Sequence, residues 1–201
     1  MGSLSSAVGE WGKGRSVLAR AFLLVLLCIL GARLAIRPDS WTPFSPLDLV
    51  IHEVGHPLFS FFGEWMHYAG GTILQHLVPV FAMMALLRQG EYFAIPFCGS
   101  WFSVNMYATA TYIADTRSQV LPLVTLAGTG DEPAEVRFTD WEYLLDRIPG
   151  LSIEHDTHVA LAVRIMAFII MWSSIGFGCR MLLTMYKAGN SPVDNGAGSE
   201  E

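Results

Sequence analysis

Residues 65–87 and 92–114 each run without a single Asp, Glu, Lys or Arg, separated only by Arg88-Gln89-Gly90-Glu91. A transmembrane helix needs about 20 consecutive, mostly apolar residues. Two such stretches in a chain of 201 residues leave little room for a water-soluble fold. Composition agrees, with 52% hydrophobic and 15% charged residues, where soluble chains carry about 25% charged. The chain is expected to be an integral membrane protein.

The same arithmetic excludes other classes. Twelve Lys+Arg face 18 Asp+Glu, a net charge of −6. No basic cluster exists to neutralise phosphates, so no nucleic-acid partner is expected. Cys28, Cys98 and Cys179 are odd in number, lie within apolar runs and form no C-x-x-C pair, which argues against a disulfide framework. No fixed period recurs, which excludes repeat architectures.

Along the chain, residues 1–15 form a Gly/Ser-rich leader whose Gly2 and Ser6 fit an N-myristoylation pattern, although a plain leader explains them equally. Ser16–Ile36 is the first expected span, read as an uncleaved anchor because no A-x-A site follows it. Ser45-Pro46-Leu47-Asp48 combines an N-cap, a proline at the first helical position and an early carboxylate, and predicts a helix from Pro46 to about Phe62. Gly70–Leu87, Tyr92–Ala114 and Val159–Met185 complete an all-α, multi-pass transmembrane bundle of about five spans. Residues 116–157 are the one long polar stretch. Within it, Thr139-Asp140-Trp141-Glu142 is a capping box opening a short amphipathic helix, expected on the membrane surface. Residues 16–187 thus form the membrane-embedded domain, and 188–201 an acidic disordered tail. Lysines and arginines divide too evenly between the two sides to set an orientation.

The chemistry lies in the second span. His52-Glu53-Val54-Gly55-His56 is an H-E-x-x-H motif, and on a helix its two imidazoles lie one turn apart on one face. That spacing suits one Zn²⁺, with Glu53 placed to take a proton from water that the metal acidifies. His52 lies about 9 Å along a helix that starts at Pro46. Polar groups at that depth are costly without partners, so a metal site competes there with a buried hydrogen-bonded network.

Catalytic zinc needs three protein ligands and an open position. Phe59 and Phe62 occupy the places where a metzincin carries Gly and His, and Glu91 follows Gly90 at a span end, poor context for a gluzincin ligand. The leading third ligand is Asp115, at the end of the fourth span, whose plain alternative is an interfacial pair with Arg117. His155 and His158 are the runners-up, while Asp156 reads as a helix cap. Pro57 removes the amide that would bond the Glu53 carbonyl. Gly55, Gly70 and Gly71 permit close helix approach. Gln75 and His76 read either as interhelical glue or as the lining of a water path.

A transmembrane H-E-x-x-H followed in a later span by an Asn and then an Asp resembles the site-2 protease family of intramembrane zinc metalloproteases. The resemblance covers about Ser45 to Asp115. It implies Zn²⁺ held by His52, His56 and Asp115, Glu53 as general base, and Asn105 positioning substrate or stabilising the oxyanion. The sequence departs from the family pattern in that Met106 follows Asn105 and Thr116 follows Asp115, where Pro and Gly would stand. The implied activity is hydrolysis of a peptide bond in a single-span membrane protein, within the bilayer of a prokaryotic inner or cell membrane. A non-proteolytic metal-binding or regulatory subunit and a zinc hydrolase of a lipid-borne bond are the alternatives.

Overall fold

The computed structural model describes residues 4–120, 124–125, 128–129 and 139–189. Seven α-helices carry these residues: α1 (Leu4–Gly12), α2 (Val17–Ile36), α3 (Ser45–Ser60), α4 (Glu64–Arg88), α5 (Ala94–Ala114), α6 (Asp140–Arg147) and α7 (Asp156–Gly189). A two-rung antiparallel ladder joins Val124–Thr125 to Gly128–Thr129. Gly2 of the acylation pattern and all of the expected 188–201 tail but its first two residues, which continue α7, lie outside the described residues.

Local chemistry sets some of the helix limits. Ser16 caps α2 by accepting the Ala19 N–H at 3.1 Å. Thr139 caps α6 by accepting the Glu142 N–H at 3.2 Å. Beyond α6, Gly150 takes φ +83°, a left-handed conformation that glycine adopts without a Cβ clash. The start of α3 differs from its expected form. Phe44 holds the cap position and Ser45 lies inside the helix, its hydroxyl accepting the Thr42 N–H at 3.0 Å. Asp48 turns from the helix start into the bundle, where the Trp101 indole N–H donates to it at 2.8 Å. At 4% exposure it needs such a donor.

Three helices are long and apolar enough to cross a bilayer: Val17–Ile36, Glu64–Arg88 and Ile153–Ala188. The other two expected spans, α3 and α5, fall short for different reasons. With 16 residues, α3 reaches only about 24 Å. With 21 residues α5 is long enough, but it carries Ser100, Ser103, Asn105 and Thr109, all buried. It is polar because it is wrapped by α2, α4 and α7. The Ser103 hydroxyl, for example, donates to the Ala167 carbonyl of α7 at 2.6 Å.

The outer surface is apolar where an aqueous protein would be polar. Phe22, Val25 and Ile29 on α2 and Ile165, Phe168 and Ile169 on α7 are exposed. Along α3, Leu47, Val50, Val54 and Leu58 form an exposed stripe, while Asp48, His52 and His56 turn inward. Polar groups inside and apolar groups outside is the arrangement that a lipid environment favours.

Helices α3 and α4 form a tight hairpin. A Cβ on Gly55 would collide with the Gly70 carbonyl, and one on Gly70 would lie 2.7 Å from the Phe59 Cβ. The short α6 lies on α4 rather than on a membrane surface alone. Its Tyr143 and Leu144 cluster with Ala69, Tyr68, Ile73 and Trp141. Tyr143 stacks on Tyr68 with centroids 4.0 Å apart, and the Arg147 guanidinium lies 3.6 Å over the Tyr143 ring. Burial there, reinforced by the Glu64 carboxylate, pushes the Tyr143 phenol up from its ordinary pKa. This docking brings the first residue of α6, Asp140, to the α3–α4 hairpin.

Candidate metal centre

His52 and His56 lie one turn apart on the inward face of α3, with ring centroids 4.9 Å apart. Each ring has one nitrogen engaged by α4. The His52 Nδ1 lies 3.2 Å from the Gln75 Oε1, and the His56 Nδ1 lies 2.8 Å from the His67 carbonyl oxygen. Both partners accept, so both Nδ1 atoms donate. In neutral imidazoles the lone pairs then reside on Nε2. Those two atoms converge on one carboxylate oxygen, the Asp140 Oδ2, at 3.2 Å from His52 and 3.5 Å from His56.

The two nitrogen–oxygen separations suit a tetrahedral cation. Ligands at about 2.0–2.1 Å in tetrahedral geometry have donor atoms about 3.3 Å apart. The two nitrogen–oxygen separations, 3.2 and 3.5 Å, bracket that value. Among the described residues, His52, His56 and Asp140 form the one His/Cys/Asp/Glu trio able to hold a metal. The three side chains are 14–15% exposed, enclosed yet reachable. Imidazoles whose far nitrogen donates to a carbonyl are also the usual metal-binding form, since the second bond fixes ring and tautomer.

Backbone approach makes room for the rings. A Cβ on Gly71 would lie 2.7 Å from the His52 Nε2 and 2.8 Å from the His56 Nε2, so only glycine lets α4 pass beneath both imidazoles. Beside the trio, His52, Glu53, Tyr112 and Asp140 border a cavity of about 570 Å³ that extends to Leu34, Trp41 and Val104. The volume falls in the range of small-ligand sites.

The expected third ligand stands apart from this group. Asp115 borders the same cavity but does not belong to the trio. It ends α5, and its Oδ1 accepts the Ser118 hydroxyl at 2.7 Å and the Val120 N–H at 2.8 Å, closing the turn that follows the helix. Arg117, its expected ion-pair partner, instead makes a two-pronged contact with Asp156 at 2.7 and 2.8 Å. His155 and His158 are exposed and outside the trio, and the His155 Nδ1 lies 2.9 Å from the Ser152 hydroxyl. Asp156 starts α7 and its Oδ1 accepts the N–H of the neighbouring Thr157 at 2.6 Å.

Asn105 is fully buried on α5 and donates through Nδ2 to the Gln75 carbonyl at 2.6 Å. It thus braces the α4 residue that orients His52, one step removed from the trio. Gln75 serves as glue of a specific kind, while His76 bonds its own helix at the Thr72 carbonyl, 2.8 Å away. Sequence reasoning missed His67, Tyr112 and the role of Asp140. One signal for Asp140 was available. Thr139 already caps α6, which leaves the neighbouring carboxylate without a local task.

No family model, curated protein or solved structure matches this chain.

Proposed function

We propose that the chain is a membrane-embedded zinc hydrolase that cuts a peptide bond of a single-span membrane protein, as the resemblance to site-2 proteases implies. The observation that carries this reading is the pair of Nδ1-anchored imidazoles, both aiming Nε2 at one Asp140 oxygen beside Glu53 and a cavity. His52, His56 and Asp140 are the proposed ligands, and α3 and α5 would lie within the bilayer beside the three apolar helices. Zinc, when bound, supplies Lewis acidity that polarises a carbonyl and lowers the pKa of water to about 7. Glu53 accepts the proton that water gives up on attack and returns it to the departing nitrogen. The apolar outer surface keeps the site in reach of segments that arrive through lipid.

Two imidazoles and one carboxylate also suit Fe(II). A carboxylate adjacent in sequence to the first histidine and bordering the same cavity favours hydrolysis, where a base is required. The test compares detergent-purified wild type with Glu53→Gln for metal content and for cleavage of a panel of single-span reporters. The expected result is about one zinc per chain in both and cleavage in the wild type alone. Iron in place of zinc, or equal behaviour towards every reporter, would remove the hydrolase reading in favour of a redox site or a non-proteolytic metal-binding subunit.

A further inference from the structure

Hydrolysis of an amide needs a base for the water and a donor for the carbonyl oxygen on which charge builds. The hydrolase reading assigns the first to Glu53, and any assignment of the second rests on that reading. For the second, the resemblance points to Asn105, but that side chain is 0% exposed, gives its N–H to the Gln75 carbonyl and does not border the cavity. No substrate oxygen can reach it without unpacking α5 from α4.

We infer that Tyr112 is the hydrogen-bond donor to the scissile carbonyl oxygen. Tyr112 lies on the last turn of α5 and borders the cavity together with His52, Glu53 and Asp140. Its ring is 6.1 Å from that of His52. Its hydroxyl is 3.4 Å from the Asp140 Oδ2 and 3.4 Å from the Asp140 amide. In the first the phenol donates and in the second it accepts, and both are longer than the 2.7–2.8 Å typical of O–H···O and the 2.9–3.0 Å typical of N–H···O bonds. The phenol is therefore held beside the trio without being saturated by it, and a short turn of the hydroxyl aims it into the cavity.

Atoms and electrons balance across the reaction. The water oxygen bonds to the carbonyl carbon, the π pair moves onto the carbonyl oxygen, and one water proton passes to Glu53. Tyr112 donates a hydrogen bond to that oxygen and keeps its own proton. As the carbonyl re-forms, the C–N bond breaks and the proton on Glu53 moves to the nitrogen, leaving a carboxylic acid and an amine. A preorganised donor of this kind is worth about 100- to 1,000-fold in kcat.

The test is Tyr112→Phe in the full chain, read by zinc affinity in a chelator competition and by binding of acetohydroxamate, a metal-chelating mimic of the developing oxyanion. The reporter that wild type cleaves best supplies kcat and KM. Expected are zinc affinity within about threefold of wild type, acetohydroxamate binding weakened about tenfold or more, and kcat lowered with KM little changed. A tenfold loss of zinc affinity with hydroxamate binding intact would overturn the inference, because Tyr112 would then serve only to hold Asp140. Unchanged kcat and hydroxamate binding would overturn it while leaving the hydrolase reading standing. A wild type that binds no zinc and cuts no reporter would defeat both.

Discussion

His56 and His67 each direct Nδ1 at the other's backbone carbonyl, at 2.8 Å and 3.2 Å, across the turn that joins α3 to α4. A carbonyl only accepts, so both imidazoles carry a proton on Nδ1. The exchange therefore does two things. It braces the hairpin beside its turn, and it settles which nitrogen of His56 remains to face Asp140.

The two histidines should respond differently to truncation. His67→Ala removes a side chain but keeps the carbonyl that holds His56, so zinc affinity should stay within about threefold of wild type. The lost bond to the His56 carbonyl should cost about 1 kcal/mol of stability. His56→Ala should abolish stoichiometric zinc. Metal analysis and thermal unfolding in detergent check both, and equal loss of metal would show that His67 is itself a ligand.

Asp140→Asn should weaken zinc binding by about tenfold or more, since an amide carries no charge to offset the cation. Asp115→Asn should leave zinc bound and instead loosen the turn at Ser118 and Val120. The opposite pattern in a chelator competition would restore Asp115 as the ligand.

Glycine substitutions on the hairpin should separate packing from metal binding. In Gly71→Ala the new methyl meets the Nε2 atoms of His52 and His56 at 2.7 and 2.8 Å, so the rings must move and zinc affinity should fall about tenfold or more. In Gly55→Ala the obstacle is the Gly70 backbone, which cannot turn aside. Overpacking of that kind costs about 1–3 kcal/mol, seen as a lower Tm.

The H-E-x-x-H half of the site was legible because both histidines and Glu53 lie within five residues on one helix, where spacing alone fixes the face. Asp140 was not, because its place depends on α6 docking on α4 through Tyr143 and Leu144, a tertiary event that its capping box does not encode. Distance in sequence hid the partner of Arg117 in the same way. Asp115 stands two residues away, yet the guanidinium reaches Asp156 at the start of α7, and that bond raises its pKa further. Hydropathy reads α5 only as a span, since a charge-free run looks the same whether lipid or other helices surround it. Its buried Ser100, Ser103 and Asn105 were the sign of a central helix.

Removing the metal should loosen α6 before anything else. Two proposed ligands share the well-packed α3, but the third stands on an eight-residue helix held by one small apolar cluster. A cation joining Asp140 to His52 and His56 ties that helix to the hairpin, and by linkage the metal stabilises only states in which α6 is docked. At a zinc concentration 100 times Kd the gain is about 2.7 kcal/mol. Without it, the negative Asp140 keeps only its contacts with the two imidazoles and the long Tyr112 bond. Hydrogen exchange followed by mass spectrometry should therefore show amides of 140–147 exchanging faster after chelation, while α5 and α7 change little. The same faster exchange should appear in zinc-loaded Asp140→Asn. If chelation strips zinc yet leaves α6 as protected as before, the third ligand does not come from that helix.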